Sequence, residues 1–198
     1  MHDDHPFRLA LATLLALTAA IRVYYQAQSF ESGRGSEEFE GWLNVTLRSI
    51  AGLAGFAALI TYLVSPARMA WAALPLPGWL RWLGAPVGAV GVAGLWRVHR
   101  ELGRNFRGTL HLRPEHRLVT SGPYRWVRHP MYTAIYAILI SFLLLSANWF
   151  IGGGFIAVFT AVIVSRLPRE EAVMTARFGD EYRAYMARTG RLLPRRGA

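Results

Sequence analysis

Five apolar stretches, nearly free of charge, restrict what this chain can fold into. They run from about Phe7 to Tyr25, Ile50 to Val64, Trp79 to Val98, Met131 to Phe150 and Ile151 to Val164. A helix needs roughly 20 apolar residues to cross a bilayer. The second and fifth stretches are short alone but can extend into their flanks, where arginines snorkel and the bilayer thins. The expected fold is all-α: an integral membrane bundle of about five transmembrane helices with a cytoplasmic carboxy-terminal amphipathic helical segment. Residues 1–198 read as a single domain. Three spans fall in 1–98 and a second half, 99–198, contains a helical hairpin over 131–165. The run Asn148-Trp149-Phe150-Ile151-Gly152-Gly153-Gly154 carries no charge, and its glycines allow the chain to reverse there. No lysine followed by serine or threonine comes after them, so they do not read as a phosphate loop.

The chain is 53% hydrophobic yet carries a net charge of +10, all of its basic side chains being arginine. A coding bias accounts for the missing lysine better than a functional preference for guanidinium forks does. Arg97–Arg128 holds eight arginines against two acids, and Arg166–Arg196 holds eight more. Both basic segments should face the cytoplasm. Five spans then put the amino terminus outside, and the Gln26–Asn44 loop on the cytoplasmic side despite its glutamates. Most of the tryptophans sit near predicted span ends, as interfacial anchors do. Topology accounts for the basic segments, so nucleic acid is not an expected partner; membrane lipids are. The first span begins with Asp3 and Asp4 and lacks a small-residue cleavage site, so it reads as a retained span. With no cysteine in the chain, disulfides, thiolate metal sites and cysteine nucleophiles are excluded.

Two polar patches interrupt this apolar background. The first is Leu118-Val119-Thr120-Ser121-Gly122-Pro123-Tyr124-Arg125-Trp126-Val127-Arg128-His129-Pro130-Met131-Tyr132. Gly122-Pro123 signals a turn. Pro130 suits the first turn of a helix, where its missing N–H would be unpaired anyway, which makes His129 the cap. The first-turn amides should then be exposed at the positive end of the helix dipole, a ready site for a carboxylate or phosphate. Arginine, tyrosine and tryptophan also serve as plain anchors at a membrane boundary, and a proline-started helix needs no ligand.

The second patch runs from Arg166 to Met186. Pro168 marks a helix start or kink, and Glu170 and Glu171 fall in the first turn after it. If the helix runs through the proline, Arg166 and Glu170 share a face at i and i+4. Val173, Met174, Phe178, Tyr182, Tyr185 and Met186 form an apolar stripe, with Gly179 as a bend. Such a stripe also suits a helix lying on the bilayer surface.

Taken in order, the motifs are specific. Gly103 and Asn105 precede Leu-Val-Thr-Ser-Gly-Pro-Tyr and Arg-His-Pro-Met-Tyr. An apolar hairpin follows, then Arg-x-x-x-Glu-Glu, Phe-Gly-Asp-Glu-Tyr-x-x-Tyr and Leu193-Pro194. The series, about residues 95 to 194, resembles the isoprenylcysteine carboxyl methyltransferase family, within the wider group that includes membrane phospholipid methyltransferases. The resemblance implies methyl transfer from S-adenosylmethionine, leaving S-adenosylhomocysteine, to a lipophilic small-molecule or lipidated substrate. It also implies a cofactor pocket on the cytoplasmic side, closed by the carboxy-terminal segment. It puts cofactor contacts on His116, Leu118, Val119, Tyr124, His129, Pro130, Met131, Tyr132 and Glu170, and a substrate-facing arginine on Arg166. The family has a glutamine shortly before the Leu-Val-Thr run, where Thr109 stands here.

The residue chemistry fits these roles. A helix start at Pro130 can hold a carboxylate through backbone amides. Glu170 can pair with an ammonium or a ribose hydroxyl. Tyr124 and Tyr132 can face a sulfonium or adenine, with cation–π attraction of roughly 0.5–2 kcal/mol. Arg166 can orient an anionic acceptor. Displacement at a sulfonium methyl releases a neutral group, so the chemistry requires no metal. An anionic acceptor requires no strong base; a phenol, thiol or amine would, with His129, His116 and Glu170 as candidates. Arg166 and His129 are therefore the expected catalytic pair. A carboxylate of isoprenylcysteine type is the implied acceptor. The other readings are phospholipid amine methylation and a non-enzymatic protein that binds anionic lipid.

Overall fold

The computed structural model describes residues 4–29, 42–102 and 118–195. These residues are almost entirely helical, with no strand among them. The elements are α1 (His5–Ser29), α2 (Trp42–Val64), a 3-10 turn (Pro66–Ala72), α3 (Gly78–Trp82), α4 (Gly84–Leu102), a second 3-10 turn (Gly122–Arg125), α5 (Pro130–Ser146), a π turn (Trp149–Gly153) and α6 (Gly154–Arg188). His5–Ala27 and Trp149–Arg188 contain stretches long and apolar enough to cross a membrane, and Ser49–Val64 and Pro130–Ser146 are shorter apolar helices.

α4 and α5 pack most closely. A Cβ on Gly91 would stand 2.9 Å from Ala134 O and 2.8 Å from Ile138 Cγ1, so only hydrogen fits there. Gly88 meets Leu14 and Ser141 in the same way. In lipid, small residues draw helices together because backbone approach maximises dispersion contact. Around this seam lie Leu11, Leu59, Leu95, Ile138, Phe142, Leu145 and Ile151, all buried.

Two expectations are corrected here. The third apolar stretch is not one helix: α3 ends at Trp82 and α4 starts at Gly84. Arg81 lies buried at that break. It donates to Leu145 O (2.9 Å), Asp4 Oδ1 (2.6 Å) and Tyr62 Oη (3.3 Å), and it stacks on Phe7 at 3.8 Å. A guanidinium with five donors can serve several partners at once, and here it caps the carbonyl end of α5. Second, the hairpin does not reverse at the triple glycine. Ala147 takes the left-handed conformation (φ 45°), and Asn148 Oδ1 accepts from the Ile151 amide at 3.0 Å. The glycines enter the π turn and the start of α6 instead. At Pro168, where the sequence allows either a break or a continuous helix, α6 runs through the exposed proline and breaks only at Gly179 (φ 53°, ψ −124°), the expected bend. An exposed proline costs a helix less, because the carbonyl it leaves unpaired can be solvated.

Contacts fix the relative ends of the bundle. Asp4, Leu63, Arg81 and Leu145 gather at one end, where Arg8 Nε donates to Leu63 O at 3.0 Å. Tyr25 packs on His99 at 4.8 Å, and Ser121 bonds to Glu101, at the other end. The start of α1 and the start of α5 therefore lie at opposite ends.

Candidate active site

At the second end the two polar patches meet. Pro130 stands at the first helical position of α5 with His129 as its cap, as the sequence predicts. Tyr132, in the same first turn, donates its hydroxyl to Glu170 Oε1 at 2.6 Å. Glu170 also takes Arg166 Nε at 3.2 Å on its own helix and faces His129 Nδ1 at 3.6 Å. The unbroken helix through Pro168 is what puts Arg166 and Glu170 on one face. His129 lies parallel to Tyr132, their ring centroids 5.7 Å apart.

Glu171 forms a second node. It is buried, accepting from Arg128 Nε at 3.0 Å and Arg191 Nε at 2.9 Å, with His129 Nε2 at 3.5 Å. The two guanidiniums offset the desolvation of its charge. His129 is the opposite case. Burial pushes the imidazole below its ordinary value, and the neighbouring Glu170 and Glu171 only partly offset it. Its Nε2 is buried without a hydrogen-bond partner, since 3.5 Å to Glu171 is beyond a sound bond.

A strap formed by residues 189–192 lies across the start of α5. Arg128 N donates to Gly190 O (2.8 Å), His129 N to Arg191 O (3.0 Å) and Thr133 Oγ1 to Leu192 O (2.6 Å), and Val127 and Gly190 form a parallel bridge. Arg128 Nη1 adds bonds to Met186 O and Thr189 O. The expectation of a fully exposed first turn is corrected accordingly. The amides of Tyr132 and Thr133 turn back onto His129 O. Among the described residues, the Met131 amide alone of this turn has no partner.

The other predicted positions fall as follows. Tyr124 sits in the Gly122–Arg125 turn, its carbonyl accepting from Tyr185 Oη at 2.6 Å; burial raises its hydroxyl well above the ordinary range. Met131 packs its side chain on the apolar core, and Pro130 is buried. Leu118 and Val119 are half-buried in the segment entering the turn. His116 and Thr109 lie outside the described residues. Sequence reasoning missed Glu171 as a node, and Arg191, Glu101 and Tyr185 as partners. The adjacent Glu170-Glu171 pair was the available signal: neighbours on a helix point about 100° apart, so two acids side by side serve two different partners.

Helices of membrane type, with a polar cluster at one end of the hairpin, define the class: an all-α intramembrane protein. Within it, residues 86–176 match the model of the Isoprenylcysteine carboxyl methyltransferase (ICMT) family. The match starts in α4 and ends in α6, enclosing His129, Tyr132, Arg166, Glu170 and Glu171. Among solved structures, the chain is similar to the eukaryotic intramembrane Ras methyltransferase ICMT (isoprenylcysteine carboxyl methyltransferase), with a TM-score of 0.56 and 24% identity. The alignment covers 78% of this chain and 53% of that one, so this chain spans about half the length of the protein it matches. At that identity the likeness establishes the fold. No curated protein sequence matches significantly. The resemblance read from the motifs is borne out.

Proposed function

We propose that this chain is a membrane methyltransferase that uses S-adenosylmethionine and acts on a lipophilic acceptor, in first place a carboxylate of isoprenylcysteine type. One observation carries the reading: the two patches close on each other through residues 38 or more apart in sequence, Tyr132–Glu170 and Arg128–Glu171. Nothing in a plain anchor or topology signal calls for that convergence.

The residues fit the donor. The open Met131 amide, at the positive end of α5, suits its carboxylate. His129 Nε2, buried and unpaired, suits one of its hydroxyls or a bridging water, because a buried polar atom without a partner costs about 1–3 kcal/mol. When bound, the donor supplies an electrophilic methyl on sulfur and departs as a neutral thioether. Tyr132 and Tyr124 would flank the sulfonium and adenine. Glu170 is engaged by Tyr132 and Arg166, so it acts first by setting those two side chains and offers its remaining acceptor capacity to the donor's ammonium or ribose. Arg166 keeps further N–H donors for an anionic acceptor. His129, held neutral, can take a proton from an acceptor that carries one. Holding donor and acceptor in line and away from water supplies much of the acceleration.

The proposed topology is five spans, α1, α2, α4, α5 and α6. The site would lie at the cytoplasmic face and the amino terminus outside, because the arginine-rich segments flank the site end. The test is direct. Purified protein in detergent receives labelled S-adenosylmethionine and a membrane lipid extract, and methylated products are identified by mass. A methyl ester of a lipophilic acid supports the reading. A methylated amine headgroup moves the acceptor to the phospholipids, and absence of donor binding leaves a non-enzymatic lipid-binding protein.

A further inference from the structure

Glu101, near the end of α4, lies outside the residues assigned so far. Its carboxylate accepts from the Ser121 hydroxyl. It also presses on Gly122: a Cβ there would stand 2.7 Å from Glu101 Cδ and Oε2, at a backbone φ of +57° that disfavours side chains in any case. Ser121 and Gly122 open the turn whose third residue is Tyr124. The opposite side of that turn is held by Tyr185, buried in α6, whose hydroxyl bonds to Tyr124 O at 2.6 Å. The turn is thus gripped from α4 and from α6. Glu170 and Glu171, at this same end, are compensated by arginines, Glu170 by Arg166 and Glu171 by Arg128 and Arg191. Among the described residues Glu101 pairs with no cation; its one side-chain partner is a neutral hydroxyl on the turn.

We infer that Glu101 is a positioning residue: through Ser121 and the glycine beside it, its carboxylate fixes the turn that presents Tyr124 to the methyl donor. The inference rests on the methyltransferase reading. Ser121 is exposed, and a hydrogen bond at an exposed site adds little to stability. The bond matters for the register of the turn. Releasing it lets the Tyr124 ring sample orientations that donor binding must then restrict.

The test uses the full chain in detergent, with S-adenosylmethionine as the calorimetric probe and thermal midpoint as the control. Glu101→Ala and Ser121→Ala should each weaken donor binding by about fivefold to tenfold. The double variant should lose no more than either single one, because both remove the same bond. The thermal midpoint without donor should stay near wild type in all of them. Glu101→Gln, which keeps an acceptor oxygen, should stay within about twofold of wild-type affinity. Loss in Glu101→Gln equal to that in Glu101→Ala, with Ser121→Ala neutral, would mean that the charge itself meets the donor, and the positioning role would be overturned. So would wild-type affinity in Glu101→Ala, or a lowered midpoint tracking the loss of binding. Absence of donor binding by the wild-type protein would instead overturn the methyltransferase reading, which separates the two failures.

Discussion

Tyr132 and Glu170 are 38 residues apart in sequence, and the tyrosine hydroxyl donates to the carboxylate at 2.6 Å. The bond spans the α5–α6 hairpin and brings the first turn of one helix to the polar half of the other. Arg166 binds the same carboxylate oxygen from one turn earlier on α6. A single oxygen therefore couples Tyr132, proposed to face the methyl donor, to Arg166, proposed to face the acceptor.

Tyr132→Phe should weaken S-adenosylmethionine binding by several-fold, since a hydrogen bond to a charged group contributes about 1.5–3 kcal/mol and part of that is recovered by solvation. Arg166→Ala should reduce turnover far more than donor affinity. Calorimetry beside single-turnover kinetics separates the two; equal losses in both quantities for Arg166→Ala would mean that its assigned role is wrong.

Glu171→Ala should cost more stability than Arg191→Ala. Removing the carboxylate leaves the Arg128 charge, on a side chain only 11% exposed, with carbonyl partners alone, and breaking a buried pair from one side costs about 3–5 kcal/mol. Arg191 is about half exposed, so its loss leaves Glu171 still paired with Arg128 and costs about 1 kcal/mol or less. Denaturation in detergent that ranks the two variants the other way would remove Glu171 from the centre of the strap.

Acidification should destabilise the fold through His129. Burial holds its folded value below the ordinary 6.5, so the unfolded chain takes up the proton first. Stability is then complete above about pH 6.5 and declines as pH falls from there through the folded value. Thermal midpoints measured from about pH 7.5 to 5 should fall for the wild type and fall less steeply for His129→Gln. Superimposable profiles would show that this imidazole is not the titrating group.

Gly91→Val should damage the α4–α5 seam. Its Cβ would press on Ala134 O and Ile138, and both belong to a packed helix that cannot yield locally. The expected loss is about 1–3 kcal/mol, read as a lower thermal midpoint. A neutral result would mean that α4 and α5 lie further apart than described.

The sequence made the helical class and most of the site legible for a physical reason. Apolar blocks of bilayer length and a proline at a helix start are local signals, and α5 begins where Pro130 says it should. The motif order also carried His129, Tyr132, Arg166 and Glu170 to one place. What remained hidden depends on distant partners. At Pro168 a break and a continuous helix both stay open, because the residue's neighbours in space are not written beside it. The reversal at Ala147 was masked by three glycines downstream, because the αL residue that makes the turn has a side chain. Arg81 looked like a charge near the start of a span, but it ties Asp4, Tyr62 and Leu145 together. Arg191 looked like part of a basic tail, and Glu171 like the spare member of a pair.

The bridge between Val127 and Gly190 joins two points that the whole α5–α6 hairpin separates. In the proposed topology it closes only when both helices have threaded the bilayer and returned to the same face. A chain whose second hairpin helix stalls during insertion would keep every motif residue and still lack the closed site. With no native cysteine to compete, a cysteine pair introduced across this bridge would turn correct insertion into a covalent mark visible on a gel.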